Sequence, residues 1–129
     1  INTKFKNYEN KIFLNLKKHK IAFICLAGYM RIISDKLIKI FPKKIINIHP
    51  SLLPKFKGLN TFKRVLKEKE IKTGCTVHYV NNKLDDGNII SKKFFYINSN
   101  DNEHTLKHKT QILEYKTYSE AIIKIFRNY

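Results

Sequence analysis

Residues 45–58 read IINIHPSLLPKFKG, an apolar run that passes into a loop with two prolines. Two polar side chains, Asn47 and His49, close the run immediately before Pro50. A buried amide or imidazole costs free energy unless it is hydrogen-bonded. This stretch therefore predicts a buried strand whose end either supplies partners to both side chains or uses them in chemistry.

The chain around this stretch alternates between strand patterns and helix patterns. Short apolar runs predict strands at IAFICLAG from Ile21, KIINIH from Lys44, GCTVHYV from Gly74 and IISKKFFYI from Ile89. Amphipathic patterns predict helices over residues 8–19 and after Ser34, Asn60 and Asn100. This alternation indicates an α/β fold, in which ligands bind at the carboxyl ends of the strands.

The helix ends carry recognisable capping residues. Ser34 or Asp35 is expected to cap the second helix, which Pro42 stops. Asn100 and Glu103 have the spacing of a capping box and are expected to start the last helix.

Composition narrows the class of protein. The 129 residues carry a formal net charge of +16, but only three of the 26 basic residues are arginines. Lysine, isoleucine and asparagine are all abundant, which indicates a codon bias spread over every surface instead of a nucleic-acid-binding stripe. No apolar run approaches the roughly 20 residues that span a bilayer. The chain begins at Ile1 without Met, so we expect a truncated start.

The two cysteines, Cys25 and Cys75, lie inside apolar segments and lack the spacing of metal ligands. The simplest interpretation is a pair of buried free thiols in a reducing cytoplasm. The sequence contains no G-x-S-x-G nucleophile motif and no metal-ligand cluster, so no metal is expected.

Asn47 and His49 are separated by one residue, so a strand projects both side chains to the same face. An amide and an imidazole at one point can donate two hydrogen bonds to an oxygen that gains negative charge. The alternative is structural: a histidine hydrogen-bonded in the core and an asparagine that caps the loop. Position and residue type leave both interpretations open.

The LDDGN segment adds a carboxylate to this picture. If its loop folds over the neighbouring strand end, Asp85 reaches His49 and stabilises the imidazolium; otherwise Asp85 is a surface turn residue. His78 is interpreted as a satisfied core histidine, with a place beside the site as the alternative. An amide, an imidazole and a carboxylate without a nucleophile suit transfer of a group between two bound substrates.

Four segments, CLAGYMRIIS, IINIHPSLLPKFKGLNT, GCTVHYV and LDDGNII, resemble the phosphoribosylglycinamide formyltransferases, the folate-dependent enzymes of purine synthesis. Their order and spacing match from about Ile1 to Tyr129. The resemblance implies one domain over residues 1–129, with a mostly parallel Rossmann-like sheet flanked by helices. It also implies that the chain is the carboxyl-terminal two-thirds of the fold. The glycine-rich phosphate loop that opens the family is not in this sequence.

The resemblance also implies an activity and its residues. Asn47, His49 and Asp85 would be catalytic in formyl transfer from 10-formyltetrahydrofolate to the amine of glycinamide ribonucleotide. The cofactor-binding residues would be Asn47 and the pterin-pocket segment Met30, Arg31, Ile32 and Ile33, and the ribonucleotide would face Gln111 and Glu114. No metal, membrane or dedicated nucleic-acid partner is implied. A cytoplasmic location and a homodimer are expected.

Several rival functions remain. Formyltetrahydrofolate deformylase and methionyl-tRNA formyltransferase share the three catalytic residue types, but Pro50 after His49 favours the ribonucleotide enzyme. The chain departs from the family at Asn88, where proline is usual, and at Tyr115, where histidine is usual. A basic RNA-binding module would need stacking aromatics interleaved with arginine, and an inactive relative would not need its catalytic residues.

Overall fold

The computed structural model describes residues 3–127, which form four helices and four strands. In chain order they are α1 (Thr3–Lys18), β1 (Ile24–Leu26), α2 (Asp35–Ile40), β2 (Ile45–His49), α3 (Thr61–Lys67), β3 (Lys72–Tyr79), β4 (Ile89–Tyr96) and α4 (Glu103–Phe126). Among these residues no helix combines the length and the apolar character that crossing a bilayer requires.

The four strands form one sheet in the order β1-β2-β3-β4. β1 and β2 are parallel, whereas the β2–β3 and β3–β4 pairs are antiparallel. The predicted α/β fold is confirmed. Within residues 3–127, however, the parallel part of the sheet is confined to β1 and β2, so the expectation of a mostly parallel sheet is corrected to a mixed one.

The connections explain the mixture. The segment between β1 and β2 contains α2 and is long enough to cross over and return parallel. β3 and β4 are joined by the short loop 80–88, which forms a hairpin, and a hairpin imposes antiparallel pairing. Gly87 lies at the base of this hairpin. A Cβ there would lie 1.5 Å from the Tyr79 carbonyl oxygen, so this position requires glycine.

The core lies on both faces of the sheet. On one face, α4 covers a cluster of Ile46, Ile48, Cys75, Val77 and Ala121. A second cluster contains Ile33, Leu37, Phe41 and Ile45, against which Phe13 and Leu16 of α1 pack. Each fully buried aliphatic side chain contributes about 1.5–3 kcal/mol, so β2, buried along its whole length, is the centre of the fold.

Tyr118 ties α4 to the sheet. Its hydroxyl donates to the carbonyl oxygen of Leu26 at 2.7 Å and lies 3.3 Å from that of Ile46. Leu26 is the last residue of β1, and Ile46 directly precedes Asn47 in β2. Tyr118 therefore anchors α4 to both parallel strands, next to the strand position that carries Asn47.

One of the two predicted helix caps differs from the structure. Ser34 caps α2 as expected, but α4 is capped by Asn102 and Thr105, not by Asn100 and Glu103. The start moves because Asp101 accepts hydrogen bonds from the Asn98 amide and the Thr105 hydroxyl and turns the chain there.

The cysteines also differ from each other. Cys75 is buried as predicted, donates to the Thr117 hydroxyl, and burial raises its pKa to about 11. The prediction of a buried Cys25 is wrong, because its strand lies at the end of the sheet and its side chain is exposed. That strand also starts at Ile24, not at Ile21.

Candidate active site

The carboxyl end of β2 presents the two polar side chains that the sequence singled out. Asn47 and His49 alternate with the core residues Ile46 and Ile48 and are only 9% and 6% exposed. Asn47 is paired with Leu26 of β1 and with His78 of β3. The strand is therefore held on both sides, and both polar groups are fixed in position.

His49 has a hydrogen-bond acceptor beside each ring nitrogen. Nε2 lies 2.8 Å from the carbonyl oxygen of Phe56, to which it must donate its hydrogen. Nδ1 lies 3.3 Å from Asp85 Oδ2, so the predicted contact between the loop carboxylate and the imidazole is present. Both contacts are satisfied together when the ring carries hydrogen on both nitrogens.

Asp85 is buried in the 80–88 hairpin loop, with φ +48°. That left-handed conformation costs a non-glycine residue about 1–2 kcal/mol, and such strain is concentrated at functional sites. Its Oδ2 accepts the Gly58 amide hydrogen at 2.8 Å in addition to facing His49. The carboxylate is thus held by two elements, not left in a surface turn.

His78 takes part of each of its two predicted roles. It is buried, and its Nδ1 donates to the carbonyl oxygen of Tyr79 at 2.9 Å. Its Nε2 lies 3.9 Å from Asp85 Oδ1, too far for a hydrogen bond, and has no hydrogen-bond partner among residues 3–127. Burial lowers the pKa of His78, which favours the neutral ring beside the carboxylate.

Asn47 is the second buried group with an unsatisfied atom. Its Oδ1 has no hydrogen-bond partner in the described part of the chain. An unsatisfied buried acceptor costs about 1–3 kcal/mol, and a bound donor such as an amine would remove that cost. The alternative in which Asn47 caps its loop has no such hydrogen bond to support it.

A cavity of about 350 Å³, the Asn47 cavity, opens beside these residues. Its wall includes Gly28, Met30, Asn47, His49, Asp85, Gln111 and Glu114. The last two, which the resemblance assigns to the ribonucleotide, lie one turn apart on α4 and both border this cavity. Burial raises the pKa of Glu114, so this carboxyl group is held in a partly desolvated wall.

A smaller cavity of about 30 Å³, the Arg31 cavity, also touches Asn47 and Asp85. Its wall includes Arg31, Ile32, Ile33, His78 and Asn81. The Met30–Ile33 segment is thus divided. Met30 is 63% exposed and borders the Asn47 cavity, whereas Ile33 is 4% exposed and belongs to the core as well. Asn47 and Asp85 therefore border both cavities.

Three contributors were not predicted from the sequence. Phe56 acts through its backbone carbonyl, Gly58 through its amide, and Arg64 donates to the carbonyl oxygen of Lys57 at 2.6 Å. Gly58 in a polar loop was a usable signal. A backbone carbonyl leaves no signal, since every residue has one. No group of three His, Cys, Asp or Glu side chains within residues 3–127 is arranged to hold a metal ion.

The comparisons with known proteins agree with the family that the sequence resembles. A family model described as formyl transferase matches residues 2–122. Phosphoribosylglycinamide formyltransferase of Bacillus subtilis is 41% identical over 123 residues, which cover 91% of this chain and 63% of that enzyme. The trifunctional purine biosynthetic protein adenosine-3 of Drosophila pseudoobscura is 41% identical over 89% of this chain and 8% of its own length. The chain thus spans less than two thirds of these relatives.

Solved structures give the same picture. Phosphoribosylglycinamide formyltransferase from Bacillus halodurans superposes with a TM-score of 0.91 at 35% identity, covering 96% of this chain and 64% of that one. A formyltetrahydrofolate deformylase from Pseudomonas syringae has a TM-score of 0.83 at 25% identity and covers 88% and 38%. The Bacillus halodurans enzyme is therefore more similar to this chain than the deformylase is, both in TM-score and in sequence identity.

Proposed function

Because this chain belongs to the formyl transferase family, we propose that its gene product transfers a formyl group from 10-formyltetrahydrofolate to the amine of glycinamide ribonucleotide. The reaction is a step of purine synthesis. One observation carries the proposal: Asn47, His49 and Asp85 converge at the wall of the Asn47 cavity, and His49 contacts Asp85 there. No side chain there needs to act as nucleophile, because the substrate amine supplies one.

The two compartments would hold the two substrates. Gln111 and Glu114 would face the ribonucleotide in the Asn47 cavity, and Arg31, Ile32 and Ile33 would border the pterin. The Arg31 cavity holds about 30 Å³, less than a bicyclic ring needs. Entry of the pterin would therefore require the 80–88 loop or the Met30–Ile33 segment to move.

In the proposed reaction, the substrate amine attacks the formyl carbon and forms a tetrahedral intermediate whose oxygen carries negative charge. The Asn47 amide and the His49 ring would donate hydrogen bonds to that oxygen. The intermediate then collapses: the bond from carbon to N10 of the folate breaks, and the amine proton moves to N10. The products are the formamide and tetrahydrofolate.

His49 would have to change partner during the reaction. In this structure its Nε2 donates a hydrogen bond to the carbonyl oxygen of Phe56. An oxygen that carries negative charge accepts a hydrogen bond more strongly than a peptide carbonyl does. The intermediate would therefore compete with Phe56 for that hydrogen, while Asp85 holds the other ring nitrogen.

The test is release of tetrahydrofolate from 10-formyltetrahydrofolate by the full-length gene product, with and without glycinamide ribonucleotide. We expect release that requires the ribonucleotide and that falls by about 10²–10³-fold in His49→Ala. His19→Ala is the matched control, since His19 is exposed just after the end of α1, and its Nδ1 and backbone amide both contact the carbonyl oxygen of Asn15.

Each other result would reject the proposal. Release into water without the ribonucleotide would indicate the deformylase reaction, and release that requires methionyl-tRNA would indicate the tRNA enzyme. Equal activity of His49→Ala and His19→Ala would exclude His49 from the chemistry.

A further inference from the structure

The backbone of three consecutive residues contacts the proposed catalytic pair, His49 and Asp85. We call these residues, Phe56, Lys57 and Gly58, the 56–58 segment. The carbonyl of Phe56 accepts from His49 Nε2 at 2.8 Å. The amide of Gly58 donates to Asp85 Oδ2 at 2.8 Å. One backbone segment therefore contacts both His49 and Asp85, so its position bears on the orientation of both side chains.

This segment does not adopt a relaxed backbone. Phe56 has φ +57° and Gly58 has φ +83°, both in the left-handed region. Glycine adopts that region readily, but a phenylalanine there is destabilised by its Cβ. Some contact from outside the segment must therefore hold the Phe56 backbone in place.

Arg64 supplies that contact from the first turns of α3. Its Nη2 donates to the carbonyl oxygen of Lys57 at 2.6 Å, and its guanidinium lies 5.7 Å from the centre of the Phe56 ring. The side chain is partly buried. The carbonyl that it holds lies between the Phe56 carbonyl and the Gly58 amide, the two groups that contact His49 and Asp85.

A second side-chain contact with the segment, the ion pair between Lys57 and Asp86, is weaker than the hydrogen bond from Arg64. Lys57 Nζ lies 2.7 Å from Asp86 Oδ1, but each of these side chains is more than a third exposed. An ion pair open to water contributes little and holds its partners loosely. Of these two side-chain contacts with the segment, the partly buried hydrogen bond from Arg64 is therefore the one that holds the backbone more firmly.

We propose that Arg64 is a positioning residue that holds the 56–58 segment and, through it, the His49–Asp85 pair. The side chain itself touches neither member of the pair. Its effect on the rate rests on the proposed function. Its effect on the His49 ring does not, because that ring and its neighbours belong to the protein without substrate.

The test uses the full-length gene product with ¹⁵N-labelled histidine, without substrate. In Arg64→Ala we expect the His49 Nε2 resonance to move and broaden as the Phe56 carbonyl is released. Arg64→Lys, which keeps one donor toward the Lys57 carbonyl, should restore much of the original signal. Lys63→Ala, an exposed neighbour on the same helix, is the matched control and should leave it unchanged.

Kinetics supply the second measurement. We expect kcat to fall about 10-fold in Arg64→Ala, with both KM values within about twofold and Arg64→Lys restoring most of the loss. The unfolding midpoints of the variants show whether a lower kcat comes from the altered site or from a smaller fraction of folded protein. An unchanged His49 resonance in folded Arg64→Ala would overturn the proposal. Inactivity of the unaltered protein would instead reject the proposed function, and the resonance would still decide the role of Arg64.

Discussion

Two cavities of similar volume open in different parts of the molecule. The Asn47 cavity holds about 350 Å³, and a second, the lysine cavity, holds about 300 Å³. The lysine cavity is bordered by Lys55, Lys72, Lys92, Lys93 and Phe94, among others. By charge alone, the lysine cavity is the better candidate for an anionic substrate, although it is slightly the smaller of the two.

Their polar groups differ in a way that volume does not reveal. Lys55 is paired with Glu70 at 2.9 Å, Lys93 with Glu120 at 2.6 Å, and Lys92 donates to a backbone carbonyl. In the Asn47 cavity, by contrast, a buried amide oxygen has no partner among residues 3–127. The unsatisfied amide oxygen of Asn47 therefore distinguishes the proposed reaction site from the lysine cavity, where Lys55, Lys92 and Lys93 already have partners.

The largest expected difference between the two cavities comes from removing the unsatisfied amide of Asn47. We expect Asn47→Ala to lower kcat by about 10²–10³-fold, because one donor to the developing oxyanion is lost. The unfolding midpoint should change by less than about 3 °C, since Asn47 Oδ1 has no hydrogen bond to lose. Steady-state kinetics and calorimetry check both.

Lys72→Ala, which removes an exposed cation from the lysine cavity, is the control for that experiment and should retain normal kcat. A larger kinetic defect in Lys72→Ala than in Asn47→Ala would reverse the assignment of the two cavities.

A smaller effect is expected from removing one charge. Asp85→Asn keeps the shape of the side chain and an acceptor for the Gly58 amide, but loses the charge beside His49. We expect kcat to fall roughly 10²-fold. Asp86→Asn, one residue along and exposed, should change kcat by less than about threefold. Equal defects in the two variants would show that the loop's net charge matters, not its contact with His49.

The smallest effects come from two glutamates of α4, one near each cavity. Burial raises the pKa of Glu114, whereas the hydrogen bond from Lys93 lowers the pKa of Glu120. A raised carboxyl pKa means that the folded state loses stability as pH rises from the ordinary value of about 4.5 through the folded pKa. A lowered one means that stability present above about 4.5 is lost as pH falls through the folded pKa.

Glu114→Gln should therefore raise the unfolding midpoint at pH 7 by roughly 2 °C, and this gain should vanish below about pH 4.5. Glu120→Gln should lower the midpoint at pH 7 by about 1 °C or less, because its ion pair is exposed to water. Thermal melts from pH 3 to 8 test both signs. If the unfolding midpoints of the two variants shifted in the same direction at pH 7, the two glutamates would not differ in the way that their pKa directions indicate.

The sequence carried the parts of this arrangement that depend on periodicity. Asn47 and His49 are two residues apart on a strand, so their shared face followed from the pleat alone. Gln111 and Glu114 were expected near a substrate only because they match residues of the resembled family, and both border the Asn47 cavity. The contact of Asp85 with His49 was one of two alternatives, since loop closure depends on residues distant in sequence.

What the sequence missed depends on tertiary context. The capping of α4 was misplaced because Asp101 rearranges the preceding turn, and Cys25 was expected in the core although its strand lies at the end of the described sheet. The roles of the Phe56 carbonyl and of Arg64 depend on a loop conformation that no residue pattern encodes. The homodimer and the cytoplasmic location stay predictions.

The close approach of Gly87 to Tyr79 has an evolutionary consequence. With no space for a Cβ at the base of the hairpin, mutation can neither widen the base nor replace this glycine cheaply. The loop above it must then keep its length, because a codon gained or lost before Asp85 would turn a different side chain toward His49. Drift along this gene is therefore free to change the lysines of the surface, but not the number of codons between these two strands.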